Sequence, residues 1–411
     1  MRRRVLIIGG GIAGLTASLE AAQAGADVTI LQAGQGAHHL FSGCIDVLAY
    51  PDPDGPPAEN PLVEIVKLTG SRPGHPYAKV GAPMVREALT SFIARLDAQG
   101  LVYHGSGETL RRVATALGTI RLTGLVPDTM HGDPSQIDAV CNVGFFRNFA
   151  EGMIAAELGR RTGRAIAALS YGFEQGRRDA VGIAGQLCAA DRCTALGEFL
   201  KELAPGKTVA IPNVLDADRA TDIKRRVEEI FGGTLLEMPG LPPGLAGVRM
   251  IRAMRRTALD AGVRIISAAR AVGARTADGL VRGVWVKAGA NERMETADAY
   301  VLAAGHLVTG GLVSDRYRLR EPIFNLPVRG WDGGRFFAEK FLTTQGHPAL
   351  SAGVEVDEHL RPLGESGPLY ENLFACGDIL AGFDPYRERS GGGVALATGT
   401  VAGRRAAGVS A

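Results

Sequence analysis

The feature that most constrains this chain is a short apolar run, Val5-Leu6-Ile7-Ile8, followed at once by Gly9-Gly10-Gly11-Ile12-Ala13-Gly14. Four apolar residues without alternation predict a strand buried on both faces of a parallel sheet. Leu15, Leu19 and Ala22 then recur at helical spacing up to Gly25, and Val28-Thr29-Ile30-Leu31 predicts the next strand. The whole is one strand–helix–strand unit of about thirty residues. Gly9-x-Gly11-x-x-Gly14 stands where the strand gives way to the helix. Gly9 permits the tight turn, Gly11 lets a pyrophosphate approach the backbone, and Gly14 lets helix and strand pack closely. The helix start adds free N–H groups and the positive end of its dipole. At the end of the second strand Gln32 replaces the acid expected to grip a ribose; an amide grips the two hydroxyls less well.

Two later segments point the same way. Ala299-Tyr300-Val301-Leu302-Ala303-Ala304-Gly305 is an apolar strand closed by small residues. Near the C-terminus Cys376-Gly377-Asp378 is followed by Gly391-Gly392-Gly393 and a helix of small residues. Together the three motifs resemble those of flavoproteins of the glutathione-reductase and fumarate-reductase type. In those proteins an Ala-Thr-Gly strand end passes the nucleotide, here with Ala304 in place of Thr. A Gly-Asp pair binds the ribityl chain, which maps onto Gly377 and Asp378. A glycine helix such as the one from Gly391 would aim its positive end at the flavin and stabilise its reduced anion. The expected fold is α/β, a dinucleotide-binding flavin domain made from both chain ends (1–80 and 244–411). An α+β cap, substrate or partner-contact insert spans 81–243, with Pro239, Pro242 and Pro243 marking its end.

Composition narrows the function. Lys plus Arg is 45 against 43 Asp plus Glu, so no basic field suits nucleic acid. Arg252, Arg255 and Arg256 read as a solvated helix face. The five cysteines lie apart with no C-x-x-C, which argues against zinc and against an iron–sulfur cluster held by this chain alone; no metal site is expected, the odd count argues against a full disulfide framework, and a reducing cytoplasm fits best. Met1-Arg2-Arg3-Arg4 before the apolar run imitates an export signal, but the glycines interrupt it at once. No run of about 18 apolar residues exists to span a bilayer.

A narrower resemblance covers nearly the whole length. Phe41-Ser42-Gly43-Cys44-Ile45-Asp46-Val47-Leu48, His75-Pro76-Tyr77, Leu241-Pro242-Pro243, Gly310-Gly311-Leu312-Val313 and Arg320-Glu321-Pro322-Ile323 are similar to landmarks of the B subunit of anaerobic glycerol-3-phosphate dehydrogenases. Gly382-Phe383-Asp384-Pro385 before Gly391-Gly392-Gly393-Val394 is the most specific match. The resemblance implies a three-subunit, quinone-linked complex that oxidises sn-glycerol 3-phosphate to dihydroxyacetone phosphate. It implies a catalytic flavoprotein A subunit and an iron–sulfur, membrane-anchoring C subunit as partners, so that the chain would be cytoplasmic and held at the membrane through a partner. It also implies FMN, whereas the pyrophosphate-binding turn suits FAD.

Alcohol oxidation by flavin needs a base for the hydroxyl proton, and His75, His306 and His347 qualify by residue type, His75 first. A small phosphorylated substrate needs cations, and guanidinium forks suit it best. Arg387 and Arg389, between the Gly-Phe-Asp-Pro turn and the glycine helix, lead there; Arg316, Arg318, Arg320, Arg329 and Arg335 follow. Ser42 and Gly43 are expected to line the flavin, with His38 and His39 covering it or facing solvent, and Cys44 as a buried filler. No compelling acid–base pair stands out. An electron-relay or scaffold subunit, with catalysis in a partner, and a fumarate-reductase-type dehydrogenase of another substrate both stay open.

Overall fold

The computed structural model describes residues 2–173, 176–315, 317–331, 334–341 and 343–409. Its central layer is a five-stranded parallel sheet in the order Arg264–Ser267, Asp27–Gln32, Arg4–Ile8, Ala299–Leu302, Leu373–Ala375. The apolar run thus becomes the middle strand, pairing Val5 with Val28 on one side and with Ala299 on the other. Val5, Leu6, Ile7 and Ile8 are all buried, as a strand covered on both faces requires. The helices Ile12–Gln23 and Gly391–Ala407 pack against each other, and the Leu245–Asp260 helix joins the first of them. Small residues set that contact: a side chain on Gly399 or Gly403 would enter the backbone of Ala13 or Ala17. A three-stranded antiparallel meander, Ala269–Ala277, Leu280–Ala288 and Asn291–Glu295, turns at Asp278-Gly279 as the hairpin signal predicts.

The insert has its own layer, a four-stranded sheet in the order Thr234–Met238, Thr208–Pro212, Ala139–Val143, Ala167–Tyr171. Every pairing in it is parallel. The sheet is therefore α/β, where the sequence pattern foresaw an α+β insert. Strand–helix crossovers through Glu151–Thr162 and Ala220–Phe231 produce that order. Two short antiparallel ladders precede it, Tyr103–His104 with Val126–Pro127 and Arg111–Ala114 with Ile120–Thr123. The boundary expected at residue 81 falls inside the Pro76–Asp97 helix, which is kinked at Gly81. That helix buries Val85, Leu89, Phe92 and Leu96 in the same core as the five-stranded sheet, so the insert proper starts beyond it. A separate core of Val143, Ile183, Leu196, Ile211 and Val227 lies around the second sheet.

One buried ion pair joins the two layers. Arg249, on the Leu245–Asp260 helix, donates to Glu237 of the insert's edge strand at 3.0 Å, to the Leu215 carbonyl at 2.9 Å and to Thr129 at 3.1 Å. Glu237 also accepts from the Leu215 N–H at 2.9 Å, so little of either charge is left to water. Removing one partner strands the other charge in the interior. Arg249→Met should lower the free energy of urea unfolding by about 3–5 kcal/mol, and adding Glu237→Leu should recover most of that loss. An unchanged midpoint in the single variant would disprove this role for the pair.

Candidate active site

The carboxyl ends of the parallel strands open onto a cavity of about 520 Å³, within the range of roughly 300–1,000 Å³ typical of organic-ligand sites. Gly9, Gly10 and Gly11 form one wall, Ala304 and Gly305 another, and Asp378 and Gly391 close one end. Three segments far apart in sequence are brought together there by adjacent strands of one sheet.

The glycines do different jobs. Gly9 has φ 117, in the region that disfavours side chains, and a Cβ there would fall on the Ala303 carbonyl. A Cβ on Gly14 would fall on the Gly9 carbonyl oxygen. Both contacts are backbone on backbone, so nothing can move aside. Gly11 caps the first helix and has open space where its Cβ would lie. This is the geometry of a phosphate seat, a bare backbone turned to the cavity with the helix N–H groups behind it. Gly377 packs from behind, its N–H donating to Thr398 Oγ1 at 3.0 Å.

Gln32 lines the cavity, but its amide is already held. Nε2 donates to the Gly34 carbonyl at 2.8 Å, and Oε1 accepts from Arg255. Arg255 therefore leaves the solvated face foreseen for it, while Arg252 and Arg256, one helical turn apart, stay there with Asp218. Arg255 stands one helical turn after the apolar Ile251, which lines the cavity, and that spacing is the signal that could have shown this. Arg270, which no motif marks in the sequence, also lines the cavity, and its side chain has no hydrogen bond or ion pair to any described residue. His38 lines it too; burial first, then the charges of His39 and Arg255, hold its imidazole below the ordinary value. Its Nδ1 is buried without a partner.

Asp378 faces the cavity with no hydrogen bond from any described residue, and burial pushes its carboxyl up to about 6. Such a group is a ready acceptor, or when protonated a donor, for ligand hydroxyls.

Several expected site residues stand elsewhere. Ser42 Oγ accepts from the Cys44 N–H at 3.2 Å, and Gly43 packs against Ala246 while its carbonyl accepts from Tyr103 at 2.7 Å. Phe41 lines the cavity in their place. Gly392 and Gly393 do not line it either; they seat the C-terminal helix on residues 45–47 and the Tyr77 hydroxyl, and only Gly391 reaches the cavity wall.

His75 is not placed to act as the base. It is buried, it caps the Pro76–Asp97 helix by accepting from the Tyr77 N–H at Nδ1 (3.0 Å), and its Nε2 lies 3.0 Å from Glu388. An accepting Nδ1 fixes the proton on Nε2, which donates to Glu388, so both nitrogens are spent. Glu388 also accepts from Arg72 at 2.5 Å and from Ser390 Oγ at 3.1 Å. Burial would raise the Glu388 carboxyl, but the bonds and charges of His75 and Arg72 together hold it below its ordinary value. The group is an anchor for the loop that delivers Gly391.

His306 Nε2 donates to the Ala352 carbonyl at 2.8 Å, and burial lowers its imidazole. His347 Nδ1 accepts from the Ala338 N–H at 3.1 Å. Arg387 is tied to the Thr344 carbonyl at 2.8 Å and to Asp54 at 2.9 Å. Arg389 has no such ties. Arg318 pairs with Asp315 on the surface, Arg320, Arg329 and Arg335 are exposed and off the cavity wall, and Arg316 lies outside the described residues. Cys44 is a buried filler, its thiol pushed up to about 11 chiefly by burial. Among the described residues no cluster of His, Cys, Asp or Glu could hold a metal, and no helix is long and apolar enough to cross a membrane.

Residues 4–394 match the family described as FAD binding domain. The B subunit of the anaerobic glycerol-3-phosphate dehydrogenase of Vibrio cholerae serotype O1 is 31% identical, over 97% of this chain and 95% of its own length. That of Pectobacterium carotovorum subsp. carotovorum is 31% identical, over 96% of each. Among solved structures, an E. coli quinol fumarate reductase chain is 10% identical with a TM-score of 0.46, over 99% of this chain and 70% of that one. Of the two flavins foreseen, FAD is the one the family match supports.

Two variants separate the roles of the glycines. Gly14→Ala should cost about 3 kcal/mol or more by thermal unfolding, since backbone must yield. Gly11→Ala should keep the melting temperature of the flavin-free chain and lose most bound flavin; full flavin content in it would remove Gly11 from the cradle. Asp378 supplies a pH test. A carboxyl whose value is raised on folding stabilises in acid and loses that stability as pH climbs through its folded value. The flavin-free chain should therefore weaken between about pH 4 and pH 6, by up to about 3 kcal/mol. Asp378→Asn should abolish that slope, and an unchanged slope would assign it to another group.

Proposed function

The chain belongs to the FAD-binding family of anaerobic glycerol-3-phosphate dehydrogenase B subunits, and we propose that it is the flavin-bearing subunit of a quinone-linked complex oxidising sn-glycerol 3-phosphate to dihydroxyacetone phosphate. The observation that carries the reading is the convergence of Gly9–Gly11, Ala304–Gly305, Asp378 and Gly391 on one cavity. In this reading Gly11 and the first helix start take the pyrophosphate, Arg270 supplies its countercharge, and Asp378 takes ribityl hydroxyls. Bound flavin supplies a two-electron acceptor for an alcohol's hydride. The chain's own part is to hold that acceptor, exclude water with Phe41, Ile251 and Val308, and present the Gly391 helix start to developing negative charge. The 81–243 insert, less the helix at its start, forms the substrate or partner side. Electrons leave to an iron–sulfur C subunit, which also ties the complex to the membrane, beside a flavoprotein A subunit.

A second reading is favoured by one specific observation: His75, the leading base by sequence, spends both ring nitrogens on the fold. The chain would then relay electrons while the A subunit does the chemistry. The test is anaerobic addition of glycerol 3-phosphate to the FAD-loaded full chain, alone and with its partners. Bleaching of the flavin in the lone chain supports the first reading. Bleaching only when the A subunit is present supports the relay. FAD should be the flavin released and weighed from the purified chain; FMN in its place would overturn the pyrophosphate assignment of Gly11.

A further inference from the structure

Beside the start of the C-terminal helix two segments run together. The Ala49 and Tyr50 N–H groups each donate to the Glu388 carbonyl at 3.0 Å, and the Gly393 N–H donates to the Asp46 carbonyl at 2.7 Å. The first segment is pinned in turn to the insert: the Ile45 N–H donates to the Leu125 carbonyl at 2.9 Å, and Thr123 Oγ1 donates to the Ile45 carbonyl at 3.1 Å. Three charged side chains meet at this junction. Asp46 and Arg389 come from the paired segments, and Arg121 reaches in from the Ile120–Thr123 strand to donate to Asp46 Oδ2.

The group is unfinished within the chain. Arg121 Nε and Asp46 Oδ1 are both buried without a partner. Arg389 is half-buried, and its side chain has no hydrogen bond or ion pair to any described residue. Its guanidinium is held below its ordinary value by burial first and then by Arg121, with Asp46 and Tyr50 opposing. Its backbone sits at φ 50, a left-handed conformation that costs a non-glycine residue on the order of 1 kcal/mol or more. Two cations stand against one anion, and the unmet groups are a guanidinium fork, a lone donor and a lone carboxylate oxygen. Arg forks prefer planar or tetrahedral oxyanions, and a free carboxylate oxygen accepts from a hydroxyl.

We infer that Arg389 and Arg121 form a seat for a phosphate monoester, with Asp46 Oδ1 accepting from a hydroxyl of the same molecule. The ligand class is a phosphorylated alcohol or polyol. The inference rests on the proposed function only in that the substrate of that reading belongs to this class. It adds Arg121 and Asp46, neither singled out as a binding group from the sequence, and sets Arg387 aside.

The test is calorimetric titration of the FAD-loaded full chain with inorganic phosphate and with glycerol 3-phosphate. Arg121→Gln should weaken both by about tenfold or more, as loss of a charge-assisted contact does. Arg389→Gly should do the same while keeping or raising the melting temperature, because glycine adopts this φ freely. Asp46→Asn should weaken glycerol 3-phosphate more than inorganic phosphate. Unchanged affinities in folded Arg121→Gln and Arg389→Gly proteins, or no binding of either probe by the parent chain, would overturn the seat. Flavin content, read on the same samples, separates the two ideas. Full flavin without phosphate binding sinks the seat alone, and phosphate binding lost with these variants in a chain that holds no flavin upholds the seat while sinking the flavin reading.

Discussion

Everything in the site depends on how closely three stretches of backbone pass one another at the end of the central strand. Gly9 lies against the carbonyl of Ala303, and Gly14 lies against the carbonyl of Gly9. Because the atoms in the way are main chain, rotamer changes cannot relieve a larger residue there. That approach lets the first helix start directly at the strand end and lets the Ala299–Leu302 strand finish beside it. The bare surface at Gly11 follows from it, and so does the orientation of the helix dipole.

A second layer of control is ionic and buried. Glu388, with Arg72, His75 and Ser390, fixes the loop ahead of the C-terminal helix, while Glu237 and Arg249 fix the insert against the first layer. Buried charges of this kind seldom add net stability over apolar packing. Their effect is geometric, since each carboxylate accepts several bonds at once from segments that the sheets alone would not hold in register. The residues that look catalytic by type, His75 above all, are used for this positioning.

The parts of the fold written in local pattern were legible in the sequence. The Val5–Ile8 run, the three-glycine turn and the Asp278-Gly279 hairpin each follow from nearest neighbours. What escaped is set by tertiary contact. Ser42 and Gly43 belong to a motif, yet Gly43 is needed for packing on Ala246 and not for the cavity. The parallel order of the insert's sheet depends on pairing Ala139–Val143 with Thr208–Pro212 across three helices and a strand, which no local period encodes. Arg121 sits in an unremarkable hairpin, and only the fold brings it to Asp46.

The sheet order has a consequence for synthesis. The Arg4 N–H bonds to Asp298, a partner 294 positions later, and the last strand and the C-terminal helix come later still. The insert's four strands all lie between these ends, so it has its whole sheet when the ribosome has made only two of its neighbour's five strands. The first strand, apolar on both faces, must wait with one edge unpaired until Ala299–Leu302 emerges. A nascent chain of this architecture carries an exposed, sticky edge through most of its translation, and truncation near the C-terminus would leave that edge's sheet unfinished while the insert remained intact.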